Sequence, residues 1–260
     1  MVAAFDLTGR TALITGAGSP TGIGYATARL LAEMGASLLI TSTTDRIHDR
    51  VRELKALGAD VEGLAGDLTE TGTAPSLVAK SLGRWGRLDV VVQNAGMTSI
   101  SDPQSASGVI EQMDFRQWRD SLSRNLDTSF LVAKACLPLM TLAGWGRLIF
   151  VSSVTGPVMA MRAEPAYAAA KSAVVGLTRA LALDCAHQGV TVNAVAPGWI
   201  QTGSQTPHEF EQGERTPMGR SAQPSEVAGV ICWLASPSAS YLTGQCLVVD
   251  GGNSISEERA

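Results

Sequence analysis

Seven short apolar runs, bounded by Gly, Asp or Asn, punctuate this chain: residues 11–15, 37–41, 61–65, 88–92, 148–151, 190–195 and 247–249. Each is too short for a helix and rich in leucine or β-branched residues, so each predicts a strand. Longer stretches lie between them, among them residues 25–34, 45–57 and the Ala- and Leu-rich 166–186, which has no internal proline and predicts a long helix. Strands alternating with helices imply parallel crossovers, hence an α/β fold of the doubly wound, Rossmann type with helices on both faces of a seven-stranded parallel sheet. No period repeats and no Ser/Gly/Pro linker divides the chain, so residues 1–260 read as one domain.

Two stretches break the alternation, residues 97–111 and 201–224, the second carrying Gly203, Pro207, Gly213, Pro217 and Gly219. A long irregular segment inside a compact domain usually works as a lid. Residues 201–221 are expected to fill that role and to order on binding, because Glu209, Glu211 and Glu214 sit together with little apolar content. Phe210 and Met218 are the candidates for inward contact.

Composition narrows the picture. A chain of 260 residues with 45% hydrophobic content can bury a sizeable core. A net charge of −4 and scattered basic residues speak against a nucleic-acid partner. No apolar run reaches transmembrane length and the N-terminus lacks the regions of a signal peptide, so the expectation is a cytoplasmic protein without a membrane partner. Cys136, Cys185, Cys232 and Cys246 lie far apart, as do His48, His187 and His208, which leaves no metal-ligand spacing and no histidine-based triad.

The chemistry concentrates in Ser153, Tyr167 and Lys171. On the predicted helix Tyr167 and Lys171 are four apart and share a face. An ammonium about 5 Å from a phenol, at an effective dielectric near 20, favours the phenolate by roughly 3 kcal/mol, or about two pKa units. Such a tyrosine would exchange a proton with an alcohol or a developing alkoxide without a metal. Ser153, following the strand-like Arg147-Leu148-Ile149-Phe150-Val151, would hold the same oxygen.

A nucleotide is suggested by the first strand, which runs into a glycine-rich turn, Gly16-Ala17-Gly18-Ser19-Pro20-Thr21-Gly22-Ile23-Gly24, and then into a helix. Glycines there let the backbone approach a diphosphate at the helix N-terminus. The second strand ends in Ser42-Thr43-Thr44, where an NAD-selective chain would place an acid for the ribose 2′-hydroxyl. Hydroxyls at Ser42 and Thr43, with Arg46 if the loop curls back, suit a 2′-phosphate, so NADP is expected over NAD. The same residues would also serve to cap a helix starting near Asp45.

Together these motifs resemble the short-chain dehydrogenase/reductase family over nearly the whole chain. Gly16, Gly22, Ile23 and Gly24 resemble its glycine-rich turn, Asp67 followed by Leu68 its adenine-contacting acid, and Asn94-Ala95-Gly96 its fourth-strand motif. Asn125, Ser153, Tyr167 and Lys171 fall where the family carries its catalytic tetrad. Pro197, Gly198, Ile200 and Thr202 resemble the segment that holds the nicotinamide amide, and Gly244 with Asp250-Gly251-Gly252 the last strand. One departure stands out. The family usually places three residues between the first glycine and the Gly-Ile-Gly, whereas here Ala17 to Thr21 intervene, so the turn is expected to bulge, stiffened by Pro20.

The resemblance implies an oxidoreductase that interconverts a ketone and a secondary alcohol with a nicotinamide cofactor. Tyr167 would be the acid/base and Ser153 would orient the substrate oxygen. Lys171 would lower the phenol's pKa and bind the nicotinamide ribose, while Asn125 held a water linking the lysine to solvent. A 3-oxoacyl-(acyl-carrier-protein) reductase is the alternative within the family, although Pro138 and Gln188 stand where those reductases carry two arginines for the acidic carrier. A cofactor-binding regulator without chemistry is the alternative outside it. Met159, Met161, Trp199 and Phe210 either line an apolar substrate pocket or belong to the core. The family's habit implies a homo-oligomer, dimer or tetramer. On the predicted helix Ala169, Ala173, Gly176 and Ala180 fall within about 60° of one another, opposite Tyr167 and Lys171. That stripe would meet a second copy or pack on the chain's own sheet.

Overall fold

The computed structural model describes residues 3–96 and 108–257, so most of the stretch at 97–111 lies outside the described residues. The strands are β1 (Thr11–Ile14), β2 (Ser37–Ser42), β3 (Val61–Ala65), β4 (Val90–Gln93), β5 (Gly146–Val151), β6 (Val190–Pro197) and β7 (Cys246–Val249). They form one parallel sheet in the order β3-β2-β1-β4-β5-β6-β7. The helices are α1 (Ile23–Glu33), α2 (Ile47–Ala56), α3 (Thr73–Trp85), α4 (Phe115–Leu122), α5 (Thr128–Ala143), α6 (Pro165–Cys185), α7 (Pro207–Glu214) and α8 (Pro224–Ala235). Every residue of β1, β4, β5 and β6 is buried, as expected of parallel strands covered on both faces.

The side-chain period of two sorts each strand between two cores. Ala12, Ile14, Leu38, Ile40, Val90 and Val92 join Leu31, Leu54 and Ile231 from α1, α2 and α8 on one face. Leu13, Leu39, Val91, Leu148 and Phe150 join Leu77, Val132 and Val174 from α3, α5 and α6 on the other. Below the sheet the buried carboxylate of Asp89 accepts from Arg10, Arg87 and the Thr11 N–H, tying the entrances of β1 and β4 together. Those three donors outweigh the desolvation of its carboxylate and hold its pKa below the usual range.

Two expectations are corrected. Residues 201–221 are not irregular throughout, since α7 lies inside them. Thr206 accepts from the Glu209 N–H at 3.2 Å while Glu209 accepts from the Thr206 N–H at 2.7 Å, and Pro207 pre-sets the first turn. That capping box stood in the sequence, but the neighbouring glycines and prolines masked it. Phe210 and Met218 are not inward, being 46% and 62% exposed. The second correction concerns residues 115–143, a continuous helical stretch that matches a membrane span by length and composition. Its contacts are with α3, α6 and β5 within the fold.

Candidate active site

The strand order reverses between β1 and β4, and at their carboxyl ends the two chains diverge and leave a crevice. Thr15 and Asn94 line it. The Thr15 hydroxyl donates to Gln93 Oε1 at 2.7 Å and accepts the N–H groups of Asn94 and Ala95 at 3.0 and 2.9 Å. Asn94 Nδ2 donates back to the carbonyls of Thr15 and Gly16 at 3.0 and 3.2 Å. The glycine-rich turn is pressed onto this clasp. Gly16 has φ +67°, and a Cβ there would lie 2.8 Å from Asn94 Nδ2, while one at Gly24 would lie 2.7 Å from both Asn94 Nδ2 and the Gly16 carbonyl. Gly22 caps α1 without a side chain, so the first turn presents backbone donors and a positive dipole end with no protein carboxylate or hydroxyl on them. A cradle that admits no Cβ and ends in a bare helix N-terminus fits a dinucleotide diphosphate.

The residues expected at the adenosine end follow β2 and β3. Arg46 does curl back: a Cβ on Gly18 would meet Arg46 Nε at 2.6 Å and Ser42 Oγ at 2.8 Å. The buried Ser42 hydroxyl donates to the Thr44 carbonyl at 2.7 Å, so it is committed to its own turn rather than offered outward. Thr43 and Arg46 are the exposed groups beside Gly18. Asp67 accepts from the N–H and hydroxyl of Thr69 at 2.9 and 2.8 Å, and Leu68 is buried behind it.

Ser153, Tyr167, Lys171 and Asn125 converge at the end of β5. The Ser152 hydroxyl, which the sequence reading passed over, donates to the Lys171 carbonyl at 2.9 Å and fastens α6 to the strand end. Lys171 is buried; its Nζ donates to the Val151 carbonyl at 3.0 Å and lies 5.6 Å from the Tyr167 ring centroid. Asn125 sits in a π-helical turn, Ser123–Asp127, between α4 and α5, and donates to the Ser121 carbonyl at 3.1 Å. Such a turn re-aims one side chain out of the helical register. Gly96 packs between the two, since a Cβ there would lie 3.0 Å from Asn125 Oδ1 and 3.2 Å from Lys171 Nζ. On the last strands Val154 donates to the Pro197 carbonyl at 3.0 Å and Gly198 to the Val249 carbonyl at 3.0 Å. Ile200 bridges to Ala222, and Thr202 donates its N–H back to the Ile200 carbonyl at 2.8 Å. Among the described residues no three His, Cys, Asp or Glu gather as metal ligands.

Electrostatics depart from the expected lysine-lowered phenol. Burial pushes Tyr167 up to about 12; its hydrogen bond with Ser153 opposes this, and the charges of Glu164 and Glu209 add to it. Burial pushes Lys171 down to about 8. Desolvation dominates both shifts. The ammonium also has a protein acceptor of its own, the Val151 carbonyl. Near neutral pH the site holds a protonated phenol, poised as a donor.

A family model described as enoyl-(acyl carrier protein) reductase matches residues 16–254. Among curated proteins, cis-4-hydroxycyclohexanecarboxylate dehydrogenase of Sinomonas cyclohexanicum is 38% identical over 247 residues, covering 94% of this chain and 96% of its own. The 3-oxoacyl-(acyl-carrier-protein) reductase of Vibrio cholerae is 37% identical over 251 residues, covering 95% and 98%. Among solved structures, a putative NAD(P)-dependent gluconate 5-dehydrogenase from Beutenbergia cavernae with bound NADP superposes with a TM-score of 0.88 at 37% identity, covering 97% of this chain and 100% of its own.

The depressed lysine has a consequence for stability. An unfolded lysine keeps its proton to a pKa of 10.5, whereas Lys171 in the fold loses it near 8, so between these values the unfolded chain binds more protons and stability rises with pH. Tyr167 acts in the opposite sense above pH 10, where the unfolded phenol ionises first. Urea denaturation of the cofactor-free protein from pH 7.5 to pH 10 is expected to show the unmutated chain gaining about 2 kcal/mol on Lys171→Met. Parallel curves for the two proteins would refute the buried, easily discharged lysine.

Proposed function

The chain belongs to the short-chain dehydrogenase/reductase family and is an oxidoreductase that interconverts a ketone and a secondary alcohol with a nicotinamide cofactor; on that premise we propose that Tyr167 is its general acid/base. The observation that carries this reading is the convergence of Ser153, Lys171 and Asn125 on that phenol at the mouth of the cradle. A bound nicotinamide supplies or accepts the hydride. Ser153 holds the substrate oxygen beside the phenol, and Tyr167, protonated near neutral pH, gives that oxygen its proton as negative charge develops on it. Lys171, with its ammonium 5.6 Å from the ring centroid, stabilises the phenolate left behind. Asn125, whose Oδ1 borders Gly96 as the ammonium does, holds a water that links the lysine to solvent.

The cradle contacts follow the same elements. Gly16, Gly22, Ile23 and Gly24 would receive the diphosphate, Asp67 and Leu68 the adenine, Asn94, Ala95 and Gly96 the ribose side, and Pro197, Gly198, Ile200 and Thr202 the nicotinamide amide. NADP is the preferred cofactor in this reading, supported by Arg46 against Gly18 and by the lack of an acid at positions 42–44. Residues 201–221 act as the substrate lid of one domain spanning 1–260. Similarity to a carrier-protein reductase favours a second reading of the substrate, a 3-oxoacyl thioester. A cytoplasmic location is consistent with four unpaired cysteines. The homo-oligomer, dimer or tetramer, is supported by α6: Gly176 and Ala180 face solvent, and a Cβ on Gly176 would meet nothing within 4 Å. The small-residue stripe therefore does not pack on the chain's own sheet at these positions.

Three measurements bear on these proposals. Tyr167→Phe keeps the ring and removes the transferable proton, so turnover of a ketone panel with NADPH should fall at least about a thousandfold with cofactor affinity retained. Preserved turnover would remove the tyrosine from its role, and efficient turnover of an acyl-carrier thioester with little on free ketones would replace the substrate reading by the second. Steady-state kinetics should show NADPH preferred, with Arg46→Ala weakening NADPH about tenfold and NADH little; an unmutated enzyme that favours NADH overturns the assignment. Sedimentation should find an oligomer at micromolar concentration that Ala173→Trp dissociates by overpacking the stripe, whereas unchanged assembly in that variant places the interface elsewhere.

A further inference from the structure

The two additional residues of the glycine-rich turn have a place in the fold. Ser19-Pro20-Thr21-Gly22 closes as a β-turn, with the Gly22 N–H donating to the Ser19 carbonyl at 3.2 Å. Pro20 stands at the second position of that turn, where its fixed φ suits the conformation and removes freedom from the loop. The turn does not project into solvent alone. Its far side meets the base of the lid: a Cβ on Gly203 would lie 2.7 Å from Thr21 Oγ1 and 3.9 Å from Ser19 Oγ.

Gly203 is not in the left-handed region, so an alanine there meets no backbone strain. Its one obstacle is the Thr21 hydroxyl. The glycine thus records close approach between the turn and the lid base rather than a conformational need. Behind the contact a cleft of about 480 Å³ separates the turn from α8 and is bordered by Pro20, Ala26, Gln201 and Gln223, so Thr21 spans an otherwise open gap. The residue before Gly203 is Thr202, whose hydroxyl pairs with Ser204 at 3.0 Å.

Resting on the cofactor reading above, we propose that Thr21 is a positioning residue. It seats on Gly203, holds Thr202 and the first residues of the lid against the cradle, and so couples diphosphate binding to the setting of the lid. The turn follows β1 and the lid base follows β6, and the two are also linked the long way round, through α1 packed on α8 and the Gln201 N–H donating to the Ala222 carbonyl. A contact across that gap lets an event at the cradle reach the substrate side without passing through the catalytic residues.

A double-mutant cycle tests this, with two readouts on the intact protein: amide hydrogen exchange over residues 201–206 without cofactor, and NADPH affinity by fluorescence titration. Gly203→Ala drives a methyl into Thr21 Oγ1 and is expected to speed exchange and weaken NADPH about tenfold. Thr21→Ala removes the hydroxyl and should do the same to a lesser extent, while Thr21→Ser, which keeps it, should behave as the unmutated chain. Combining Gly203→Ala with Thr21→Ala opens room for the added methyl, so the pair should bind more tightly than Gly203→Ala alone. Losses that simply multiply, or exchange that stays unchanged in both single variants, would overturn the proposal. Exchange that responds as expected while the unmutated protein binds neither NADPH nor NADH would overturn the coupling and the cofactor reading but keep the contact.

Discussion

The reversal of strand order between β1 and β4 leaves two chain ends parting at the top of a buried sheet, with peptide groups that no further strand can satisfy. Everything above the sheet depends on how those groups are met. One hydroxyl and one amide suffice: Thr15 serves three partners and Asn94 returns two bonds to the carbonyls of Thr15 and Gly16. Because the amide lies flat under the glycine-rich turn, the turn is held low and has no room for side chains. The same bonds that repair the sheet edge therefore shape the cradle, and they leave the first turn of α1 bare for an anion.

A second consequence is dryness. Strand β5 ends in the same layer, and Ser152 ties it to α6 through the Lys171 carbonyl, so the lysine and tyrosine stand on a helix that cannot swing away from the sheet. Packing this tight costs the buried lysine its hydration and the half-buried phenol much of its own. The phenol is pushed up and the ammonium down, so near neutral pH the tyrosine carries its proton beside the lysine instead of forming a phenolate–ammonium pair. A proton held this way is available to a substrate oxygen that arrives with its own developing charge. An exposed pair at the same helical spacing would have its proton traded with water instead.

The architecture was legible in the sequence because a parallel sheet imposes the strongest pattern a chain can carry. Strands buried on both faces must be continuous apolar runs, and all seven were found, with shifts such as Val90 for Leu88 where Asp89 turns below the sheet to meet arginines. The tetrad and the glycines were legible as motifs. What was not legible depends on competition between forces at one place. The direction of the Tyr167 shift depends on desolvation and on the nearby charges of Glu164 and Glu209, neither of which spacing reveals. The outward offer of Ser42 failed for a similar reason, because a carbonyl two residues on was a nearer acceptor. α7 is hard to see in the sequence although Thr206, Pro207 and Glu209 spell a helix start, because Gly203, Gly213, Pro217 and Gly219 surround that cap with turn signals.

Glycine in this chain answers two separate demands, and distinguishing them changes what each position means. At Gly16 the backbone itself lies at positive φ and a neighbour also intrudes, so neither relaxing the neighbour nor moving the loop would admit another residue. At Gly24 the obstacle is backbone and the half-buried amide of Asn94, which is hydrogen-bonded to the carbonyls of Thr15 and Gly16. At Gly203 the backbone is ordinary and the obstacle is a single hydroxyl on an exposed turn. The first two belong to the rigid floor that any diphosphate would need. The third belongs to a contact between two loops, where a change on one side can be answered by a change on the other. Variation in cofactor hold and lid setting can therefore arise at the turn and lid base without disturbing the floor or the proton chemistry, because no hydrogen bond of the Thr15–Asn94 clasp passes through them.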